Sequence, residues 1–306
     1  MRLYLEIIKD VNGHNKRSVL LAISATTLFL IVTLAFAPVQ FETNDDTFFL
    51  SVIAGYHTGT PTAFTTGGYV AISFSFFVSR LYMLLPTIPW YTVAQLFILW
   101  VSFSVVTFCI FDCNQMSGSS LTISFIGAVA FFSVVALPAV VLLQYTATSA
   151  APAGAAIALL VHYKKSSRAY LILTVLATSL LMAFSFSVRM QTFYLCAALF
   201  LCVAFICYLR DPERRSHLLM LTVIPLAISG SLYVVEFATY HTPEVSAFME
   251  YNIARTQFTD YASPSYYDAP DIYSDAGIDY TEYKLFCMWW FLLDKGKRQT
   301  GEYIEI

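Results

Sequence analysis

Two adjacent carboxylates, Asp45 and Asp46, are the residues of this sequence best suited to acid–base chemistry. They lie in the string PVQFETNDDTFF, a few residues after the first long apolar run. The string predicts a short helix that starts near Asp45 and ends at Gly55, with Asn44 as its N-cap. Acids in a first turn stabilise a helix through its dipole, which explains the pair without any function. A carboxylate fixed at a helix start is also a well-oriented general base, so both interpretations stand.

Three arginines are further candidates for a functional site. Arg189 follows an apolar run in the string FSFSVRMQTFYL and is nearly alone at that turn, and Arg80 lies within another apolar segment. A guanidinium at membrane depth is costly unless it has a partner or a use, although snorkelling to lipid headgroups is the simpler explanation. Arg255, in YNIARTQFTD, reaches the acidic pair only if the end of the chain folds back over it; otherwise it is an ordinary solvated charge.

His57 and Glu236 complete the candidate residues. His57 lies in a loop of threonines and glycines after the acidic pair, where it can relay protons, bind a metal ion or simply form a hydrogen bond. Glu236 lies near the end of the last long apolar run. An acid at membrane depth is a candidate functional residue, but the nearby interface also lets this one reach water.

Membrane helices must position these residues, because the chain is too apolar for a soluble domain. Of its 306 residues, 58% are hydrophobic and 12% are charged, and its mean hydropathy is +0.66. A soluble domain carries about twice this charged fraction. Apolar runs of spanning length occur at 18–37, 90–111, 120–140, 169–186, 191–208 and 217–238, with a shorter alanine-rich run at 147–162.

Positive charge orients these spans. Lysines and arginines cluster before residue 18, at 163–168 and at 209–216, and the positive-inside rule places all three clusters in the cytoplasm. The two later clusters fall inside only if the apolar segment 67–86 lies along the outer surface instead of crossing. The alternative is eight spans with a broken or re-entrant pair within 120–162, where Pro138 and Pro152 interrupt the apolar runs.

The sequence therefore predicts an all-α integral membrane protein with about seven transmembrane helices. Residues 1–17 form a cytoplasmic N-terminus, and 18–238 form a helical bundle whose outer loop, 38–89, carries membrane-parallel helices. Residues 239–306 form an acidic, tyrosine-rich tail outside, in which 280–293 has a helical pattern. Tyrosine alternates with aspartate in this tail, which is typical of carbohydrate sites but also of interfacial tyrosine belts and plain loops.

Several common site types are missing from the sequence. It contains no Walker loop, dinucleotide fingerprint, nucleophile elbow or HExxH zinc motif. The six cysteines lack metal-ligand spacing, so we interpret them as small packing residues. The short basic clusters are explained as orientation signals, and no nucleic-acid partner is expected.

An acidic pair in the first outer loop, just after the first of many spans, resembles the hallmark of the GT-C fold glycosyltransferases. These polytopic enzymes use polyprenyl-phosphate-linked sugars. The resemblance covers about residues 20–110, and the acidic motif of the family maps onto Asp45 and Asp46 only. The string GYHTGTP, Gly55 to Pro61, is similar to one that follows Asn-Asp-Asp in a group of bacterial polytopic proteins. The resemblance implies helices lying on the membrane in the first outer loop and a location in a bacterial plasma membrane.

The resemblance also implies transfer of a sugar from a lipid-phosphate donor to a surface glycan or glycolipid. Asp45 would be the general base, and Asp46 would help to bind the acceptor or hold a divalent cation, Mg²⁺ or Mn²⁺. The departing phosphate needs a guanidinium at the outer headgroup level. Arg189 is the first candidate for that role, and the further candidate substrate contacts are Arg80, His57, Arg255 and Glu236.

Three other functions stay open at this level. A transporter or flippase for lipid-linked saccharides would share the substrate, but few charges occur within the spans and no inverted repeat is visible. A polysaccharide polymerase or ligase would share the topology, and a non-catalytic membrane scaffold would need none of the candidate residues. The expected partners are the lipid-linked donor and membrane lipids, and the sequence predicts no particular oligomeric state.

Overall fold

The computed structural model describes residues 14–56, 59–63, 70–116, 121–164, 167–243, 245–247, 250, 253 and 264–287. These residues are helical almost throughout, apart from two strands of two residues each. In chain order the elements are α1 (His14–Phe36), β1 (Gln40–Phe41), α2 (Asn44–Ile53), α3 (Ile72–Leu84), α4 (Trp90–Met116), α5 (Leu121–Val141), β2 (Leu142–Leu143), α6 (Tyr145–His162), α7 (Arg168–Val188), α8 (Met190–Arg210), a 3₁₀ turn (Pro212–Arg214), α9 (Arg215–Tyr240), α10 (Pro270–Asp275) and α11 (Tyr280–Cys287).

Six of the described helices, α1, α4, α5, α7, α8 and α9, are long and apolar enough to cross a membrane. Their mean hydropathies are 2.2 to 2.5, and each offers at least 21 residues for the crossing. Large apolar side chains on their outer faces are exposed, including Phe36, Leu195 and Val234. Lipid covers such a surface in a multi-pass membrane protein, so the predicted class of α-helical membrane protein is confirmed.

Helix α6 is less apolar because it lies inside the bundle. It packs against α4, α7 and α8. Ten of its eighteen residues are buried, and many of them are small, which lets neighbouring backbones approach closely. Its first turn contacts the start of α4 through Thr148 and Gln95, and its last residue, His162, contacts Asp112 near the end of α4. Helix α6 therefore runs alongside α4 for most of its length.

The two prolines considered as interruption points do not break their helices. Pro138 lacks the amide proton that the Val134 carbonyl would accept, and the helix accommodates this loss with a π-helical segment, Phe132–Ala136, within α5. Pro152 is buried within α6, which continues on both sides of it.

In the described part of the apolar segment 67–86, Ile72–Leu84 form the short helix α3 of 13 residues. At about 1.5 Å per residue such a helix is about 20 Å long, against about 30 Å of hydrocarbon. Helix α3 is therefore too short to cross a bilayer. It packs against α2, α4 and α7, and one face is buried through residues that include Phe74, Val78 and Tyr82.

A parallel pair of strands joins the segment after α1 to the segment between α5 and α6. Gln40 pairs with Leu142 and Phe41 with Leu143, and the Glu42 amide donates to the Leu143 carbonyl at 3.1 Å. This ladder brings the start of α2 to the start of α6. The acidic pair is thereby fixed at one end of the helical bundle.

The chain separates into two compact units, and nearly all of the helical bundle up to Glu236 belongs to the first. In the second, the described part of the tail is organised by tyrosines. The ring of Tyr266 lies 5.4 Å from those of Tyr273 and Tyr280, and the Tyr273 hydroxyl donates to the Pro264 carbonyl. These rings pack mainly on one another. The helical pattern predicted over 280–293 is present as far as Cys287.

Candidate functional site

Asp46 is the centre of a buried hydrogen-bond network. Its side chain is 0% exposed. Oδ1 accepts from the Tyr91 hydroxyl at 2.8 Å and from the Gln95 amide at 3.0 Å. Oδ2 accepts from the Thr43 hydroxyl at 3.0 Å and from the Tyr145 backbone amide at 3.3 Å. Asp46 therefore joins α2 to the starts of both α4 and α6.

Burial and the hydrogen bonds shift the pKa of Asp46 in opposite directions. Burial raises the pKa of its carboxyl, and the four hydrogen bonds lower it without offsetting the burial. Gln95 is held in one orientation because its oxygen accepts from the Thr148 hydroxyl at 3.0 Å. The geometry makes Asp46 an anchor for the surrounding helices more than a group open to substrate.

Asp45 is the accessible member of the acidic pair. Its side chain is half-buried, and its one hydrogen bond among the described residues is from the Tyr145 hydroxyl to Oδ2, at 3.4 Å. The second oxygen is available for a ligand. This geometry leaves room for the bound hydroxyl that a general base at Asp45 would deprotonate.

The first turn of α2 differs from the prediction in one detail. The N-cap is Thr43, with extended backbone, and Asn44 is the first helical residue. The Thr43 hydroxyl is directed to the Asp46 carboxylate instead of capping a backbone amide. After the C-cap Ala54, Gly55 has a φ of +81°, which is favourable for glycine, and this agrees with its predicted role in ending the helix.

Arg189 lies close to the acidic pair, in the break between α7 and α8. Its backbone is extended, with φ −155°, so it ends one helix and starts the next. Its guanidinium carbon lies 4.6 Å from the centre of the Tyr145 ring, and Nη1 donates to the Thr146 hydroxyl. Its Nε is buried and has no hydrogen-bond partner among the described residues. A buried cationic donor without an acceptor is suited to binding an anion.

Tyr145 connects these two groups. Its hydroxyl donates to Asp45, and the Arg189 guanidinium lies over the face of its ring. The Phe49 ring packs perpendicular to it, with the ring centres 5.2 Å apart. A carboxylate at the hydroxyl of Tyr145 and a guanidinium over the face of its ring are thus held at the same end of the bundle. Such an arrangement can take a proton from a hydroxyl and stabilise a departing anion.

Glu236 has a structural role in place of the predicted substrate contact. It is 0% exposed, and its two oxygens accept from the Ile72 amide at 2.9 Å and the Ser73 amide at 3.0 Å. These are the first two amides of α3, whose N-cap residue, Ala71, has no side chain that could satisfy them. Glu236 therefore caps α3 from α9.

Of the other predicted contacts, Arg80 does not join the site. Arg80 lies on the exposed face of α3, where its guanidinium stacks on Phe76 at 4.7 Å and contacts the Met83 sulfur at 3.4 Å. That position is not part of the network around the acidic pair. His57 and Arg255 lie outside the described residues.

The predicted divalent cation does not fit Asp46. A carboxylate offers about four lone-pair positions, and four donors already occupy those of Asp46. A cation bound there would have to displace a donor from a buried network. The described residues also contain no group of three or more His, Cys, Asp or Glu that could hold a metal ion.

An apolar cavity of about 650 Å³ opens between α4, α5 and α6. One side of it is a row of small residues on α6, comprising Ala147, Ala151, Gly154 and Ala158. A Cβ added at Gly154 would meet nothing within 4 Å, which shows the free space at that point. The cavity continues to Leu142 and Glu42, next to the strands that position the acidic pair.

Tyr91, Gln95 and Tyr145 hold the acidic pair in place and were not among the residues predicted from the sequence. Of these three residues, Gln95 could have been recognised from the sequence, because a side-chain amide buried within a long apolar span requires a polar partner. Nothing in the sequence identifies the partner, which lies 49 residues away. Comparison of the chain with protein-family models, curated proteins and solved structures finds no match.

Proposed function

We propose that this protein transfers a sugar from a polyprenyl-phosphate-linked donor to a surface glycan or glycolipid, as GT-C glycosyltransferases do. The observation that carries the proposal is the grouping of Asp45, Tyr145 and Arg189 at one end of the bundle. A base and an anion-binding group are the two elements that this reaction needs. The resemblance of the acidic loop to that family supplies the reaction class.

In the proposed reaction, Asp45 accepts the proton of the acceptor hydroxyl as the oxygen attacks the anomeric carbon of the donor. The bond between that carbon and the phosphate oxygen breaks, and the lipid phosphate leaves with the bonding electrons. Arg189, which is partly exposed, stabilises the developing negative charge through its guanidinium. Tyr145 fixes the distance between base and cation, and Asp46 fixes the backbone of Tyr145 through its amide.

The apolar cavity supports a lipid-linked donor. An isoprenoid chain requires a long, apolar surface, and most of the residues that line the cavity are apolar. The cavity reaches residues next to the acidic loop, so a chain lying in it would present its head group near the site. Among the described residues that line it, Glu42 is the only charged one.

The proposal includes a topology of seven spans with a cytoplasmic N-terminus in a bacterial plasma membrane. Support for α6 as the seventh span is its course alongside α4, despite its lower hydropathy. The exposed cations Lys16, Lys164 and Arg210 then lie on the cytoplasmic side. Helix α3 lies along the outer surface, and the tail is outside.

Labelling of single cysteines tests this topology. In a cysteine-free background we expect Thr62→Cys to react with a membrane-impermeant maleimide in intact cells, since Thr62 is exposed in the proposed outer loop. Lys164→Cys should react only after the membrane is permeabilised. Reaction of Lys164→Cys in intact cells contradicts the seven-span topology.

Exchange of the acidic residues tests the activity. We expect Asp45→Asn to abolish incorporation of the sugar into surface glycans while the protein inserts and folds normally. Tyr145→Phe is the matched control, because it removes the weak hydrogen bond to Asp45 but keeps the ring under Arg189. It should retain partial activity. Unchanged glycans in cells with normal levels of the Asp45→Asn protein would exclude the enzyme, and transport or a scaffold role would then have to explain the fold.

A further inference from the structure

A second polar cluster lies at the opposite end of the bundle from the acidic pair. It consists of Asp112 and Cys113, near the end of α4, and His162, the last residue of α6. Nε2 of His162 lies 2.9 Å from Oδ2 of Asp112, and Nδ1 of His162 lies 3.3 Å from the sulfur of Cys113. The three side chains therefore form a chain from thiol to imidazole to carboxylate.

The burial of the three residues is graded. Asp112 is 2% exposed and His162 is 6% exposed, whereas Cys113 is exposed. The edge of the Phe108 ring packs against the imidazole with the ring centres 5.5 Å apart. The orienting carboxylate and the base are thus enclosed, whereas the cysteine is an exposed residue.

The carboxylate sets the tautomer of the imidazole. An ionised carboxylate only accepts hydrogen bonds, so Asp112 requires a proton on Nε2 of His162. The lone pair of Nδ1 is then directed to the Cys113 thiol. This is the order of roles found in hydrolases and transferases that use a nucleophile, a base and an orienting acid.

A shared metal ion does not explain the cluster. Asp112 and Cys113 contact opposite nitrogens of the same ring, and a single ion cannot bind both of them together with that histidine. Simple packing does not explain it either, because packing requires no base at the sulfur of an exposed cysteine. With a metal ion and packing excluded, a nucleophilic role explains the cluster, because an imidazole beside a thiol can take up the thiol proton.

We propose that Cys113 is an activated nucleophile that accepts an acyl group from a thioester. The thiol proton passes to Nδ1 of His162, and the sulfur attacks the acyl carbon. A new carbon–sulfur bond forms, the bond to the carrier sulfur breaks, and the carrier thiolate recovers the proton from His162. One thioester replaces another, so no oxidant or reductant is required.

The surroundings favour an acyl thioester on an anionic carrier. Cys113 is the last residue of the apolar stretch Trp90–Cys113, so an acyl chain on its sulfur can enter the adjoining lipid. The exposed cations Lys164 and Arg168 follow His162 within six residues. A carrier such as coenzyme A carries phosphates that these cations attract. This inference is independent of the glycosyltransferase proposal, because it uses the other end of the bundle.

The first test measures thiol reactivity with iodoacetamide at pH 7, using peptide mass spectrometry of the folded protein in detergent. The matched control is Lys164→Cys in a Cys113→Ser background, which places an exposed thiol at the same end without the histidine. A free thiol with a pKa of about 8.5 is roughly 3% thiolate at this pH. We expect Cys113 to react at least about tenfold faster than the control. Equal rates would overturn the proposal.

The second test incubates the purified protein with palmitoyl-coenzyme A. We expect one acyl group on Cys113, released by neutral hydroxylamine, and loss of acylation in His162→Gln. Asp112→Asn should slow the reaction and serves as the second variant if His162→Gln does not fold. Fast alkylation without acylation overturns the proposed substrate class. Equal acylation of the wild type and these variants would overturn the role of the histidine. Equal acylation of Cys113 and the other cysteines would overturn it as well.

Discussion

Replacement of Asp46 by asparagine separates the roles of the two adjacent acids. The carboxylate accepts four hydrogen bonds in a fully buried position, whereas Asp45 accepts one, at 3.4 Å. The Asp46→Asn side chain has a single oxygen, which can keep the two donors on one side. Its amide group then faces the remaining two donors, and one of these, the Tyr145 backbone amide, has no alternative acceptor in the network.

The structure sets the size of the effect. A buried donor left without its acceptor lowers the free energy of unfolding by about 1–3 kcal/mol, and removal of a buried charge offsets part of this loss. We expect a net loss of about 2 kcal/mol for Asp46→Asn. At about 2–4 °C per kcal/mol the thermal midpoint falls by roughly 4–8 °C. Asp45→Asn keeps an oxygen for the Tyr145 hydroxyl and should change stability by less than about 0.5 kcal/mol.

The assay is thermal unfolding in detergent, followed by tryptophan fluorescence at several pH values. The folded-state pKa of Asp46 lies above its ordinary value of 3.8, so the folded protein holds this proton more tightly than the unfolded chain. The contribution of Asp46 to stability is therefore largest below pH 3.8 and falls as the pH rises through the folded-state value. Asp46→Asn should remove this part of the pH dependence. An equal loss of stability in Asp45→Asn, or an unchanged pH profile in Asp46→Asn, would refute the assignment.

Three further variants test other parts of the structure. Gly55→Ala should destabilise the outer loop by at least about 1 kcal/mol, because φ is +81° and a Cβ would lie 2.4 Å from the Thr60 carbonyl carbon; the thermal midpoint measures this. Glu236→Gln leaves one of the first two amides of α3 without an acceptor, so hydrogen exchange at the start of α3 should accelerate about tenfold. Gly154→Leu should fill the apolar cavity and reduce binding of a polyprenyl phosphate in a lipid-binding assay, with Gly154→Ala as the conservative control; unchanged binding would separate the cavity from the donor.

Hydropathy predicted most of the fold because lipid imposes a simple rule on the chain. Every long apolar run in the sequence corresponds to a long helix, and the apolar segment 67–86 contains the shorter helix α3. The alanine-rich run became the central helix α6, whose neighbours are protein. A hydropathy scale measures preference for lipid, so it describes such a helix poorly.

The site was predictable only in its local parts. The acidic pair and Arg189 were recognisable because charges next to apolar runs are costly. Their arrangement depends on Tyr145, which lies about a hundred residues from the acids, and no sequence pattern links it to them. Glu236 shows the same limit, since its partners are backbone amides 163 and 164 residues away, and no side-chain pattern reports them.

The most direct test of the proposed activity is mass spectrometry of lipid extracts from cells that carry Asp45→Asn. The variant protein must be present at the wild-type level and keep the wild-type thermal midpoint. If Asp45 is the base for sugar transfer from a polyprenyl phosphate, the lipid-linked sugar accumulates and the same sugar disappears from the surface glycan. Lipid-linked sugars and surface glycans that both match the wild type would contradict the glycosyltransferase proposal.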